Sequence, residues 1–195
     1  WDAFIDPVIG LITERTQTKW GRFRPYVLFG AVLLCVFNIL TFTVPSLSGT
    51  SKIIYAGVTY LLLGTVYSIV NVPYGALATV MTRDTEERTS LNSFRGFFSL
   101  ISNVITGALV MPLVLHIGQG NNAKGFQGAA IVLSLISLPM FAMVFLKCKE
   151  TITPPKSAHP KMKDSLNAVI KNKPLALALT HLFLVFTGLF SRLGV

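Results

Sequence analysis

The sequence predicts an all-α polytopic membrane protein, and three observations carry that reading. Of its 195 residues, 52% are hydrophobic and only 13% charged, about half the charged share of an ordinary soluble domain. The apolar residues fall into blocks of about 20, the length a helix needs to cross a hydrocarbon core of about 30 Å. The 17 Lys and Arg, set against 8 Asp and Glu for a net charge of +9, collect in alternate loops between the blocks. The first two observations exclude a water-soluble globule, a disordered tail and a nucleic-acid arm. The third explains the basic excess by topology, so that the lipid bilayer and not nucleic acid is the expected partner.

Six apolar segments can be placed in order. The first ends near Thr13 and is followed by a basic stretch (Glu14, Arg15, Lys19, Trp20, Arg22, Arg24) closed by Pro25. The second runs from about Tyr26 to Val44, where Pro45 and a Ser/Gly/Thr turn end it. The third, about Ile53 to Met81, is long enough to span with tilt, and the charged loop Arg83-Asp84-Thr85-Glu86-Glu87-Arg88 follows. The fourth runs from about Ser90 to Leu115, and a Gly/Asn-rich turn, Gly118–Gly125, leads to the fifth, about Gln127 to Leu146. A polar stretch from Lys147 to Lys173 reads as a solvated linker whose second part, Asp164 to Asn172, suits a short helix on the membrane surface. Pro174 is a good first-turn residue for the sixth. The loops after segments one, three and five hold thirteen of the 17 Lys and Arg, and the positive-inside rule makes that side cytoplasmic. The expected location is the cell (inner) membrane, with several passes. Segments two and five, almost unbroken apolar surface apart from Cys35 and Asn38, read as peripheral and lipid-facing.

Ionisable residues within a membrane span are costly and mark a pathway or a partner by default. Asp2 and Asp6 stand four apart in segment one, on one helix face and about 6 Å apart in rise. Two carboxylates that close in a low dielectric cannot both ionise cheaply; either a cation sits between them or one keeps its proton. That is the chemistry of a coupling-ion site, against a frayed, water-exposed helix end as the structural reading. Segment three carries Tyr60, Gly64, Tyr67, Ser68, Asn71 and Gly75 at spacings of three and four, a polar stripe suited to lining a cavity or to packing helices through small residues. Arg95 in segment four is either a snorkelling anchor or a cavity arginine able to clamp hydroxyls. Cys35 and Cys148 match no disulfide or metal spacing, and His116, His159 and His181 stand near no useful partner. No nucleophile elbow, phosphate loop or metal cluster is present, so neither an enzyme nor a cofactor is expected.

The run Asp2-Ala3-Phe4-Ile5-Asp6-Pro7-Val8-Ile9-Gly10, followed by Glu14-Arg15-Thr16-Gln17-Thr18-Lys19-Trp20-Gly21-Arg22-Phe23-Arg24-Pro25-Tyr26, closely resembles the second helix and following loop of the glycoside–pentoside–hexuronide:cation symporters, the melibiose-permease-like branch of the major facilitator superfamily. Asn71-Val72-Pro73-Tyr74, Asp84 to Arg88 and Phe94-Arg95-Gly96-Phe97-Phe98 extend the likeness along the chain. The resemblance implies a fragment of a twelve-helix major facilitator fold, covering helices two to seven. Residues 1–149 would belong to the first transmembrane bundle, 150–173 to a cytoplasmic middle loop, and 174–195 to the start of the second half.

The resemblance also implies roles. The coupling cation would be held by Asp2 and Asp6 with help from the hydroxyl of Ser68, and sugar hydroxyls by Tyr67, Asn71 and Arg95. Arg15, Arg22, Arg83, Glu86, Glu87 and Arg88 would form a cytoplasmic gate, with solvated, topology-setting charges as the alternative. Where melibiose permease has an asparagine before the second aspartate, this chain has Ile5, which offers no ligand oxygen. H⁺ coupling is therefore expected over Na⁺, which remains possible at Asp2 and Asp6. Where that permease has a helix-four aspartate, this chain has Asn71, which fits a different glycoside or a uronide. The implied working unit is a monomer that moves a small sugar by alternating access.

Overall fold

A computed structural model describes residues 1–46, 48–152 and 172–193. These form six helices: α1 (Asp2–Arg15), α2 (Arg24–Thr41), α3 (Thr50–Met81), α4 (Thr85–Gly118), α5 (Asn122–Lys147) and α6 (Lys173–Leu193). Helices α2 to α5 are each long and apolar enough to cross a membrane. The structure divides into two units, one ending at Pro154 and holding α1 to α5, the other holding α6. The surface helix expected over Asp164 to Asn172 lies, but for Asn172, outside the described residues, as does most of the basic linker.

The first unit is built on α2, which packs against α3 on one side and α5 on the other. Its contact with α3 closes at Gly30, where an added Cβ would stand 2.7 Å from Val70 Cγ2. Val27 and Ala31 are fully buried on the same face, with Leu77 and Pro73 of α3 at 2% exposure or less. Thr13 of α1 is also buried, and its hydroxyl donates to the carbonyls of Ile9 and Gly10, 2.9 Å each, so the polar atom is satisfied within its own helix. By contrast α4 touches α5 and only marginally α3, and nearly all of its apolar surface is exposed. That helix, more than α2 or α5, presents bare apolar surface. Helices α2 and α5 carry the exposed apolar residues expected of peripheral helices, among them Phe29, Val36, Leu135 and Met143. Each turns one apolar face outward, but Cys35 and Asn38 face α5, where Asn38 Nδ2 donates to Ser134 Oγ at 3.1 Å.

The α4–α5 hairpin turns on Gln119 and Gly120, both at positive φ (43° and 93°), and Asn121 caps α5 by accepting from the Lys124 N–H at 3.2 Å. Beyond the turn, Gly118 and Gly125 bring the backbones together, and a Cβ on Gly125 would overlap the Val114 carbonyl oxygen. Backbone cannot yield as a side-chain tip can. Gly125→Ala should therefore cost about 1–3 kcal/mol of stability, read as a lower melting temperature of the detergent-purified full-length protein. An unchanged melting temperature would mean that α4 slides on α5 without penalty.

The basic loops meet at one end of the bundle. Glu150, just past α5, accepts from the backbone N–H of Arg22 (2.8 Å), Phe23 (2.8 Å) and Arg24 (3.1 Å), the uncapped first turn of α2. Thr151 and Ile152 donate their N–H groups to Val80 O at the end of α3 (3.1 and 3.0 Å). Arg24 donates to Phe145 O and stacks over the Phe145 ring at 4.8 Å. At the opposite end Gln127 donates to Thr43 Oγ1 (2.9 Å) and Tyr55 to Leu40 O (2.8 Å). The start of the linker is thus not solvated as expected: residues 150–152 are strapped to α2 and α3, because a carboxylate is the natural acceptor for the free N–H groups and partial positive charge of a helix start.

Candidate functional site

Helix α1 runs alongside α3 in the same direction. Trp1 Nε1 donates to Thr65 Oγ1 at 2.9 Å, and Asp2 Oδ1 lies 3.8 Å from where a Gly64 Cβ would be. At the other end, the strap at Glu150–Ile152 joins the loop after α1 to the end of α3. One helical turn on from the Asp2–Gly64 level, this register sets Asp6 level with Ser68. Asp6 is half-buried, and its Oδ1 is buried with no hydrogen-bond partner among the described residues, whereas Asp2 is exposed. Pro7 sits inside α1 and has no N–H to give the Ala3 carbonyl. One turn of α1 therefore holds two carboxylates and a backbone oxygen without its usual helical donor.

Two cavities open beside α3; the first reaches this turn at Asp2, and Asp6 lines neither. The first, about 720 Å³, lies between α1, α2, α3 and α5, and its wall includes Asp2, Asn38, Tyr60, Gly64 and Tyr67. The second, about 760 Å³, lies between α2, α3, α4 and α5, and holds Tyr67, Asn71, Tyr74 and Arg95. Leu34, Tyr67, Ser137 and Phe141 belong to both walls. Of the stripe on α3, Tyr60, Gly64, Tyr67 and Asn71 face these spaces. Ser68 does not: it is 2% exposed and lines neither. The structure brings Tyr67, Asn71 and Arg95 together in one cavity and places Asp2 in the other.

The Arg95 guanidinium lies over the Tyr74 ring, 5.0 Å from its centroid, and close above Gly75, where an added Cβ would be 3.6 Å from Nη1. The snorkelling alternative would carry this side chain out to the loop end; it lies instead along the cavity wall. Along α4 the wall continues with Ser99, Ser102 and Asn103. Sequence reasoning passed over the two serines, although spacings of four, seven and eight from Arg95 mark one helical face. Ser134 and Ser137 of α5 were also missed. A wall shared by four helices cannot be read from an apolar segment whose partners are unknown.

The gate residues gather at the basic end, but no ion pair joins them among the described residues. Arg88 donates from Nε to Thr82 O (2.8 Å) and from Nη2 to Thr79 O (2.9 Å), closing the end of α3. Glu87 accepts from the Thr82 hydroxyl, and Asp84 caps α4 by accepting from the Glu86 N–H at 2.8 Å. Glu86 and Glu87 lie in the first turn of α4, where negative charge favours the helix dipole. Arg22 stands over the Phe23 ring at 5.8 Å, and Arg15 ends α1.

Residues 1–195 match the family described as MFS/sugar transport protein. The inner membrane symporter YicJ of Escherichia coli (strain K12) is 40% identical over 88% of this chain and 37% of its own length. The isoprimeverose transporter of Lactiplantibacillus pentosus is 32% identical over 98% of this chain and 40% of its own. The glucuronide carrier protein homolog of Escherichia coli (strain K12) is 34% identical over 90% of this chain and 38% of its own. The chain thus spans about two-fifths of the length of these relatives. Its helices are those of the all-α major facilitator fold, and the chain belongs to the MFS/sugar transport family in its glycoside–pentoside–hexuronide:cation symporter branch, whose members are membrane transporters and not enzymes.

Proposed function

We propose that this chain forms the cation- and sugar-binding part of a sugar:cation symporter that works by alternating access with H⁺ as its coupling ion. The observation that carries the reading is Asp6, one of whose carboxylate oxygens is buried with no hydrogen-bond partner among the described residues. Such an atom is costly unless something supplies the missing partner, and a bound cation or proton does so. Asp2 one turn away shares the charge, with Ser68 at the level of Asp6. Sugar hydroxyls are held by Tyr67, Asn71 and Arg95. Because Tyr67 belongs to both cavity walls, cation and sugar act on a shared side chain. By linkage each raises the other's affinity equally.

The ion follows from ligand number. Na⁺ needs several oxygens to replace its hydration shell, whereas a proton needs one carboxylate. Ile5 stands beside Asp6 and contributes none. Rocking of the two halves of the whole transporter around the central site would alternate access. The basic end, with Arg15, Arg22, Arg83, Glu86, Glu87 and Arg88, faces the cytoplasm under the positive-inside rule. The test is glycoside uptake by the full-length protein at several pH values with and without Na⁺, alongside sugar-driven alkalinisation of the medium. Alkalinisation without Na⁺ stimulation is expected, and Ile5→Asn should add Na⁺ dependence. Strong Na⁺ stimulation with no proton movement would reverse the choice of ion. Absence of uptake for every sugar would remove the symport reading.

A further inference from the structure

The outer seam between α2 and α5 ends, on the basic side, in a tryptophan laid across both helices. Trp20 meets Phe29 of α2, with ring centroids 6.4 Å apart, and Phe145 of α5, edge to face at 6.2 Å. Arg24 fixes it there. Its Nη1 donates to Trp20 O at 3.2 Å and its Nε to Phe145 O at 2.8 Å, so one guanidinium holds the loop against the end of α5. Even so, Trp20 is 54% exposed. A large aromatic side chain that is pinned and yet uncovered is placed for an outside contact. Tryptophan, with an apolar body and a polar N–H, belongs by preference at a membrane–water interface.

Two further features identify the contact. Away from the basic end the seam continues as bare apolar surface, which suits an acyl chain. Phe29, Val32 and Val36 stand at spacings of three and four on α2, and Leu135 and Leu146 lie eleven apart on one face of α5. Around the tryptophan itself, residues 19–24 and 145–150 hold five cations, Lys19, Arg22, Arg24, Lys147 and Lys149, against one acid, Glu150. The Glu150 carboxylate is occupied by the three N–H groups that begin α2. Lys19 precedes Trp20 and Lys147 lies two residues past Phe145; both are exposed, on stems long enough to reach a phosphate at headgroup level. Apolar surface, an interfacial tryptophan and an excess of positive charge match a phospholipid with a negative headgroup. A second copy of this chain paired seam to seam would bring like charges together instead.

We infer that the seam of α2 and α5 at the basic end binds an anionic phospholipid, its phosphate on Lys19 and Lys147 and its acyl chain along Phe29 and Leu146. The site belongs to the membrane-embedded chain whichever solute it carries, so it stands or falls apart from the symport reading. The test places the full-length protein in bilayers of brominated phosphatidylcholine, diluted with unbrominated phosphatidylglycerol or phosphatidylcholine of the same chains. The readout is the Trp20 fluorescence, taken as the difference between wild type and Trp20→Phe. Phosphatidylglycerol should displace the quencher about fivefold to thirtyfold more effectively than phosphatidylcholine, about fivefold for each lysine engaged. That preference should fall below about twofold in Lys19→Gln/Lys147→Gln, and also in wild type at about 1 M salt, where charges are screened within about 3 Å. Should Trp20→Phe fail to fold, native mass spectrometry of the wild-type protein taken from mixed bilayers counts the two lipids retained, and phosphatidylglycerol should exceed its share of the bilayer. Equal effectiveness or equal retention of the two lipids, or a preference unmoved by loss of both lysines, would overturn the inference. So would a Trp20 that no brominated lipid quenches, the result expected if protein covers the seam.

Discussion

Asp6→Asn in the full-length protein is expected to abolish accumulation of sugar against its gradient while leaving sugar binding and exchange within about threefold of wild type. Asparagine has nearly the shape of aspartate and keeps one acceptor oxygen, so the packing of α1 on α3 should survive. What it loses is the negative charge and the ability to take up and release a proton. Asp6 Oδ1 has no donor among the described residues, so the substitution breaks no hydrogen bond there and removes a half-buried charge. The variant should therefore melt no lower than wild type, which separates a coupling defect from a folding defect. Asp2→Asn should be milder, because Asp2 is exposed to the first cavity and reaches water. Two measurements on proteoliposomes check this: concentrative uptake under an imposed pH gradient, and sugar counterflow without one. Normal accumulation by Asp6→Asn would falsify the assignment of Asp6 to coupling, whatever its effect on stability.

The parts of this molecule that sequence could disclose are those whose physics is local. Apolar blocks of membrane length, the basic loops between them, and the i,i+4 spacing of Asp2 and Asp6 depend only on helix geometry and bilayer thickness. The α3 stripe was readable for the same reason, and Tyr60, Gly64, Tyr67 and Asn71 do face cavities. Ser68 was not separable from them. At the edge of a stripe a rotation of a few tens of degrees decides between cavity and core, and the packing of α2 on α3 through Gly30 and Val70 sets that rotation. In α2 and α5 apolar residues surround the whole helix, so no hydrophobic asymmetry tells which side turns inward. The pairing of Asn38 with Ser134, 96 residues apart, and of Cys35 with Ser134 and Ser137 shows it. Arg95 was ambiguous until Tyr74 and Gly75 were seen beneath it, since a ring and a missing side chain on a neighbouring helix decide where an arginine rests. Glu150 carried no signal, as its partners lie 126 to 128 residues upstream and are backbone groups that any sequence would possess.

Glu150→Ala is expected to lower the melting temperature of the full-length protein by about 5–10 °C, from a loss on the order of 2–4 kcal/mol. The carboxylate satisfies three consecutive N–H groups where α2 begins without a side-chain cap, for Phe23 at the N-cap position can offer none. Alanine leaves those donors to whatever water can reach a partly buried turn. It also releases the strap that carries the chain from α5 past α2 to the end of α3. Glu150→Gln keeps one oxygen without the charge and should cost about half as much. Gly21 supplies an independent check on the same contact. It adopts φ of +109°, and a Cβ there would stand 2.5 Å from Glu150 Oε1, so Gly21→Ala strains the backbone and pushes the carboxylate away together. If both substitutions act through this nest, the double variant should lose less than the sum of the singles, because the carboxylate can be displaced only once. Strict additivity would show that Gly21 matters for its turn alone. A Glu150→Ala protein melting within about 1 °C of wild type would show that water replaces the carboxylate at the start of α2 without penalty.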